Sequence, residues 1–158
     1  IFAPNPIFSR PANIVSTFDA ALKQQIQNML DTLYDHRALG LGSNMLGIHE
    51  AIIVIDLDHA HPNPYVMVNP RILSYGEQRV KQTEASLSFP SIRLQVERPE
   101  SIKVSYVDAL GKSHQCEADG LLARVIQHEI DYLNGRTFLD HVGPLKRKWA
   151  MQKLYKKK

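Results

Sequence analysis

The apolar positions along the chain switch between two periods, and the switches mark where helices give way to strands. Behind Asp19, Leu22, Ile26, Met29, Leu30 and Leu33 recur at helical spacing, with Lys23, Gln24, Gln27 and Asn28 between them. Aspartate is a favoured N-cap, and this spacing builds one apolar face. The pattern predicts an amphipathic helix of about 17 residues. Ala51–Ile55 is a β-branched run, which predicts a buried strand after Gly40 and Gly42. Pro62 and Pro64 mark a turn. Tyr65–Val68 predicts another strand, closed by Asn69-Pro70. Arg79–Ser88 has room for an edge segment, and Ser101–Val107 alternates like a half-buried strand. Asp108–Lys112 predicts a hairpin turn into a strand at Ser113–Ala118. After Asp119-Gly120 the helical period returns at Leu121, Leu122, Val125, Ile126, Glu129, Ile130 and Leu133, and Asn134-Gly135 ends it.

The two ends differ from the middle. Residues 1–17 hold Pro4, Pro6 and Pro11, which bias their predecessors away from helix, so an extended segment is predicted. Residues 144–158 begin at Pro144 and predict a basic C-terminal helix, with Trp149, Leu154 and Tyr155 interrupting its lysines and arginines. Strands in the middle and helices toward both ends predict an α+β fold, as one domain over residues 1–158.

Composition narrows the function. The chain has 158 residues, 44% of them hydrophobic and 22% charged, with a formal net charge of +3. That is enough apolar material for a core and too little charge bias to argue for nucleic acid. Cys116 is the only cysteine, so an internal disulfide framework is excluded. No apolar run reaches the roughly 18 residues of a membrane span. Ile1–Pro6 lacks the charged-then-apolar pattern of a secretory signal. The expectation is a monomer inside a cell, without a membrane partner.

The chemistry concentrates in Gln127-His128-Glu129-Ile130-Asp131-Tyr132-Leu133-Asn134-Gly135. A helical His-Glu-x-x-His places two imidazoles on one face, where they share a metal, with the Glu beside the metal-bound water. Here His128-Glu129 supplies the first half, and Tyr132 stands at the position of the second His.

This stretch resembles the Gln-His-Glu-x-Asp-His-Leu-x-Gly signature of the peptide deformylase family, departing from it only at Tyr132. Two other signatures are similar. Glu84-Ala85-Ser86-Leu87-Ser88 resembles Glu-Gly-Cys-Leu-Ser, with Ala for Gly and Ser for Cys. Gly40-Leu41-Gly42-Ser43-Asn44-Met45-Leu46-Gly47 resembles Gly-x-Gly-x-Ala-Ala-x-Gln, with both glycines kept and both alanines and the glutamine lost. The likeness runs from about Asn13 to the end. It implies the deformylase fold: mixed and antiparallel sheets around a central helix that carries the His-Glu motif, with helices near both termini.

The resemblance also implies an activity: removal of the formyl group from the N-terminal formyl-methionine of new proteins. The family holds divalent iron or zinc with one Cys and two His. A bound metal lowers the pKa of its water from 15.7 to about 7. Carried over position by position, the metal ligands become Ser86, His128 and Tyr132. The general base is kept as Glu129. The oxyanion amide is lost at Gly47, while the backbone N–H of Leu87 is retained. Leu41, Gly42, Leu87, Arg124 and Val125 fall at cleft positions.

Neutral hydroxyls are poor substitutes for a thiolate and an imidazole. The expectation is therefore no metal cofactor and a member of the family without deformylase activity. Two alternatives stand beside it: an active metal-dependent hydrolase with an unusual ligand set, and a non-catalytic module that binds peptides or the ribosome. Formyl-Met or other N-terminal peptides are the partners implied for the cleft, and the ribosome for the basic helix. The implied compartment is a bacterial cytoplasm, or a mitochondrion or plastid in a eukaryote. His59-x-His61 lies in a Pro-rich turn without further ligands and is expected to be a solvated loop. Ser86 with His128 lacks the Gly-x-Ser-x-Gly surroundings of a nucleophile elbow.

Overall fold

The computed structural model describes residues 1–155. The predicted first helix forms as α1, Ala20–Asp35, and the Asp19 side chain accepts from the Leu22 N–H at 3.0 Å. Its buried face is Leu22, Ile26, Met29 and Leu33, the stripe expected from the spacing. The strands are β1 (Gly40–Gly42), β2 (Ile52–Ile55), β3 (Tyr65–Tyr75), β4 (Arg79–Ser86), β5 (Phe89–Pro99), β6 (Ser101–Val107) and β7 (Ser113–Asp119). Two helices follow, α2 (Gly120–Leu133) and α3 (Pro144–Tyr155).

Five strands make one antiparallel sheet in the order β1-β2-β3-β6-β7, while β4 and β5 pair as a separate hairpin. β2 shows why the middle of the chain is so apolar. Ile52 and Val54 face a core shared with α1 and β5, and Ile53 and Ile55 face a second core built on α2. A strand covered on both faces needs apolar residues at every position. The second core sets Ala123, Ile126, Ile130 and Leu133 of α2 against Met67, Ile102 and Val104 of the sheet. This fixes the face of α2 that points away from it, toward the β4–β5 hairpin.

Several expectations are corrected. β3 does not stop at Asn69-Pro70 but continues to Tyr75, with a register shift between Val68 and Arg71. A bulge is where a strand tolerates proline. Asn69, at φ 50°, turns its side chain onto the N-terminal segment and exchanges 2.9 Å hydrogen bonds with the backbone of Val15. The 79–88 edge segment is the strand β4, which ends at Ser86, and it pairs with a strand the periodicity does not predict, β5. The N-terminal segment is not extended throughout, because Pro6–Ser9 forms a 3-10 turn that buries Phe8. His59 is not a free loop residue: its Nε2 lies 2.9 Å from the Ala38 carbonyl and its ring packs edge-on against Tyr34. The basic helix buries Ala150 and Leu154 but leaves Trp149 half-exposed, with Lys153 Nζ 3.9 Å over its ring. Residues 156–158 of that prediction lie outside the described residues. No described helix is long and apolar enough to cross a membrane.

Candidate functional site

A cleft of about 460 Å³ opens between α2, β1 and the tip of the β4–β5 hairpin. Two glycines let α2 come this close. A Cβ on Gly40 would lie 2.6 Å from Val125 Cγ1 and 3.2 Å from the Glu129 side chain. A Cβ on Gly42 would lie 3.3 Å from Glu129 Oε2. Any side chain at Gly40 would push the helix back. From the hairpin, Ser86, Leu87 and Phe89 enter the cleft; from α2 come Leu121, Arg124, Val125, His128 and Glu129.

The charged centre behind the cleft is Glu84, the first residue of the Ser86 signature. Its Oε2 accepts from Arg98 Nε and Arg124 Nη1, both at 2.6 Å. Its Oε1 accepts from Arg98 Nη2 at 2.9 Å and His128 Nδ1 at 2.7 Å. Burial pushes this carboxyl up, but the hydrogen bonds from His128 and Arg98 outweigh it and hold the group well below the usual carboxylate range. An ionised carboxylate only accepts, so the proton of the His128 ring sits on Nδ1. Arg98 continues the network through Nη1 to Asp131 Oδ2 at 2.8 Å, where His141 Nε2 also arrives at 2.7 Å. Arg124 also donates from Nη1 to the Val96 carbonyl at 3.1 Å and from Nη2 to the Val80 carbonyl at 2.7 Å.

Glu129 is in the opposite situation. It is 4% exposed, and its Oε2 has no hydrogen-bond partner. Burial pushes its carboxyl upward, against the favourable effects of His128, the Gly42 N–H and Arg98.

Tyr132 is fully buried, in a ring cluster with Phe8 at 5.5 Å, Phe89 at 6.1 Å and His128 at 5.1 Å between centroids. Its hydroxyl has no hydrogen-bond partner. Burial raises its pKa well above the ordinary phenol value; the nearby Ser86 hydroxyl opposes the shift without reversing it, and Glu129, Glu84 and Asp131 add to it. The phenol is thus held in its neutral form, the poorer ligand. Among the described residues no group of three or more His, Cys, Asp or Glu side chains converges as a metal ion requires. Cys116, on β7, packs against the second core and not in the cleft. One imidazole and two neutral hydroxyls do not suit iron or zinc.

The fold brings Ser86, Leu87, Arg124, Val125, His128 and Glu129 together around the cleft. The other named positions fall outside its lining. Leu41 is buried in the first core, and Gly42 is buried behind the Glu129 carboxyl. Tyr132 lies beneath the cleft floor as a core residue. Gly47 is exposed at φ 82°, ending the 3-10 turn Ser43–Leu46. With no side chain, position 47 adds nothing to the cleft lining, to which Met45 of the same turn contributes. The sequence reading named Arg124 and His128 but missed Arg98 and His141, which lie outside the signatures; a charged residue at an inward-facing strand position was the available signal for Arg98.

The profile of the polypeptide deformylase family matches residues 1–148. A curated relative from Rickettsia conorii, described as peptide deformylase-like, is 42% identical over 99% of this chain and 86% of its own length. A peptide deformylase from Mesorhizobium japonicum is 40% identical over 99% of this chain and 90% of its own. Among solved structures, Ehrlichia chaffeensis peptide deformylase in complex with actinonin superposes with a TM-score of 0.94 at 32% identity, covering 100% of this chain and 95% of that one. The Legionella pneumophila peptide deformylase gives 0.92 at 38% identity, covering 99% and 92%. The chain therefore has the deformylase fold and belongs to the polypeptide deformylase family.

Proposed function

We propose that this chain keeps the peptide cleft of the deformylase family but does not carry out deformylation. The observation that carries the proposal is the state of Tyr132. At one of the positions where the family resemblance implies a metal ligand stands a fully buried phenol held in its neutral form. With Ser86 at a second such position, His128 is left as the one good ligand, and no strong nucleophile is generated from water. The cleft itself stays open and mostly apolar around Met45, Leu87, Phe89 and Val125, which suits the first residues of a peptide.

The test is direct. The chain is purified after expression in iron- and zinc-supplemented medium, its metal content is measured, and formate release from a formyl-Met tripeptide is followed. Metal well below one equivalent and no formate above the blank are expected. One equivalent of metal with turnover would establish instead the active hydrolase with an unusual ligand set.

A separate surface supports an interaction role. Lys146, Arg147 and Lys148 of α3 are exposed beside the half-exposed Trp149. This cationic and aromatic face is compatible with docking on the phosphate-rich ribosome. Salt-sensitive co-sedimentation with 70S particles, lost on changing all three residues to Glu, is the expected result.

A further inference from the structure

We propose that two copies of this chain pair edge to edge through β7, antiparallel and with Cys116 on the two-fold axis, joining two five-stranded sheets into one. The monomer expected from the sequence gives way to this pair.

The end strands of a sheet carry unpaired N–H and C=O groups that readily pair with another chain. Proteins blunt such edges with short strands, proline, bulges, basic side chains or a covering element. β1, at one end of the sheet, is three residues long and lies close against α2. The β4–β5 hairpin carries Arg79, Lys81, Pro90 and Arg93, and Arg124 takes its Val80 and Val96 carbonyls. β7, at the other end of the sheet, has none of these devices. Ser113–Asp119 contains no proline, lysine or arginine, and its register with β6 runs without a shift. Among the described residues no backbone hydrogen bond is made to its outer side.

The pairing with β6 decides which groups face outward. The Asp108 N–H donates to the Lys112 carbonyl and the Gly120 N–H to the Glu100 carbonyl, so the even-numbered residues of β7 are the ones bonded to β6. Alternation then leaves the N–H and C=O groups of Ser113, Gln115, Glu117 and Asp119 pointing away. A second copy must therefore offer odd residues to odd residues. With Cys116 on the axis, Ser113 meets Asp119 and Gln115 meets Glu117 across the junction, each twice. All four outward residues of each copy are bonded, giving about eight hydrogen bonds, within the ordinary range for a specific interface. No like charges stand directly opposite, and Glu117 already faces Lys103 on β6. An axis at Gln115 leaves Asp119 opposite the hairpin turn, and an axis at Glu117 sets two carboxylates against each other. The cleft opens beside β1, at the far edge from β7, so both clefts stay open at the outer ends of the pair.

The experiment is sedimentation velocity of the full chain in reductant, from low to high micromolar. A concentration-dependent shift to the mass of two chains is expected. Gln115→Lys places a cation opposite Glu117 twice and is expected to tighten the pair about fivefold, and Gln115→Glu to loosen it about fivefold. Gln115 is exposed, so neither change touches the core. Oxidation with diamide reads the unaltered chain. At a non-hydrogen-bonded pair the Cα atoms lie about 4.5 Å apart, within the span of a disulfide. Two Cys116 thiols become one disulfide while diamide takes up their two hydrogens as the hydrazine. Cys116 is the only cysteine, so the product is a crosslinked dimer on a non-reducing gel, with a yield that falls in Gln115→Glu. A monomer at every concentration would overturn the inference. So would a dimer indifferent to both Gln115 changes, or one that diamide does not lock, because its contact lies elsewhere. Loosening by Gln115→Lys would overturn the register, since that is the result expected with the axis at Gln115.

Discussion

Tyr132→Phe removes one oxygen from the centre of the molecule and tests whether that oxygen holds anything. The ring contacts with Phe8, Phe89 and His128 survive the change, because Phe keeps the ring. What is lost is a buried hydroxyl without a hydrogen-bond partner. Leaving such a group unsatisfied costs about 1–3 kcal/mol, and part of that is offset by the nearby Ser86 hydroxyl. The net expectation is a gain of about 1 kcal/mol. In a chain of this size that is a rise of about 2–4 °C in Tm. Urea unfolding, followed by circular dichroism with and without a chelator and with added zinc, gives the number. The two proteins should respond alike to metal and chelator. A loss of more than about 0.5 kcal/mol in the variant, or a zinc effect present only in the parent, would mean that the hydroxyl grips a ligand, and the reading of Tyr132 as a core residue would fail.

Glu84→Gln leaves Arg98 and Arg124 buried beside a neutral amide, and a loss of about 3–5 kcal/mol is expected in the same urea assay. The pH dependence follows from Glu84 and Asp131, both held below their ordinary values of 4.5 and 3.8. A depressed folded-state pKa means that the stabilisation is complete above those values and is lost as the pH falls beneath them. The urea midpoint should therefore drop steeply below about pH 4.5, with a shallower limb in Glu84→Gln. Gly40→Ala puts a methyl 2.6 Å from Val125 Cγ1 and should cost about 1–3 kcal/mol and weaken peptide binding, read by thermal melts and anisotropy together. Ser86→Cys combined with Tyr132→His rebuilds a Cys-His-His set around His128. About one equivalent of zinc is expected in metal analysis, with little formate release because no amide stands at Gly47. Failure of the double variant to take up zinc would show that the cleft backbone no longer suits a metal.

Some of this was written plainly in the chain and some was not. β2 and α2 were legible because burial imposes a period: β2 is apolar at every position, and α2 carries its apolar stripe between His128 and Glu129 and the sheet. β5 was missed although Ile92, Leu94 and Val96 alternate with Arg93, Gln95 and Glu97. Proline stands at both ends, and the inward position that completes the alternation is Arg98. A buried arginine reads as a solvent-facing one until its partner is known, and that partner depends on strand register, which pairs Glu84 with Leu94 and Val80 with Arg98. The same register argument explains how ligand positions and scaffold can part company. Glu84 is clamped by two arginines and by His128, none of which depends on the residues at 86 and 132. The apolar ring of Tyr132 fills the floor between Phe8 and Phe89, so the cavity needs no ion to stay packed. With Ser86 and Tyr132 at these positions, the frame that holds the cleft keeps its own support.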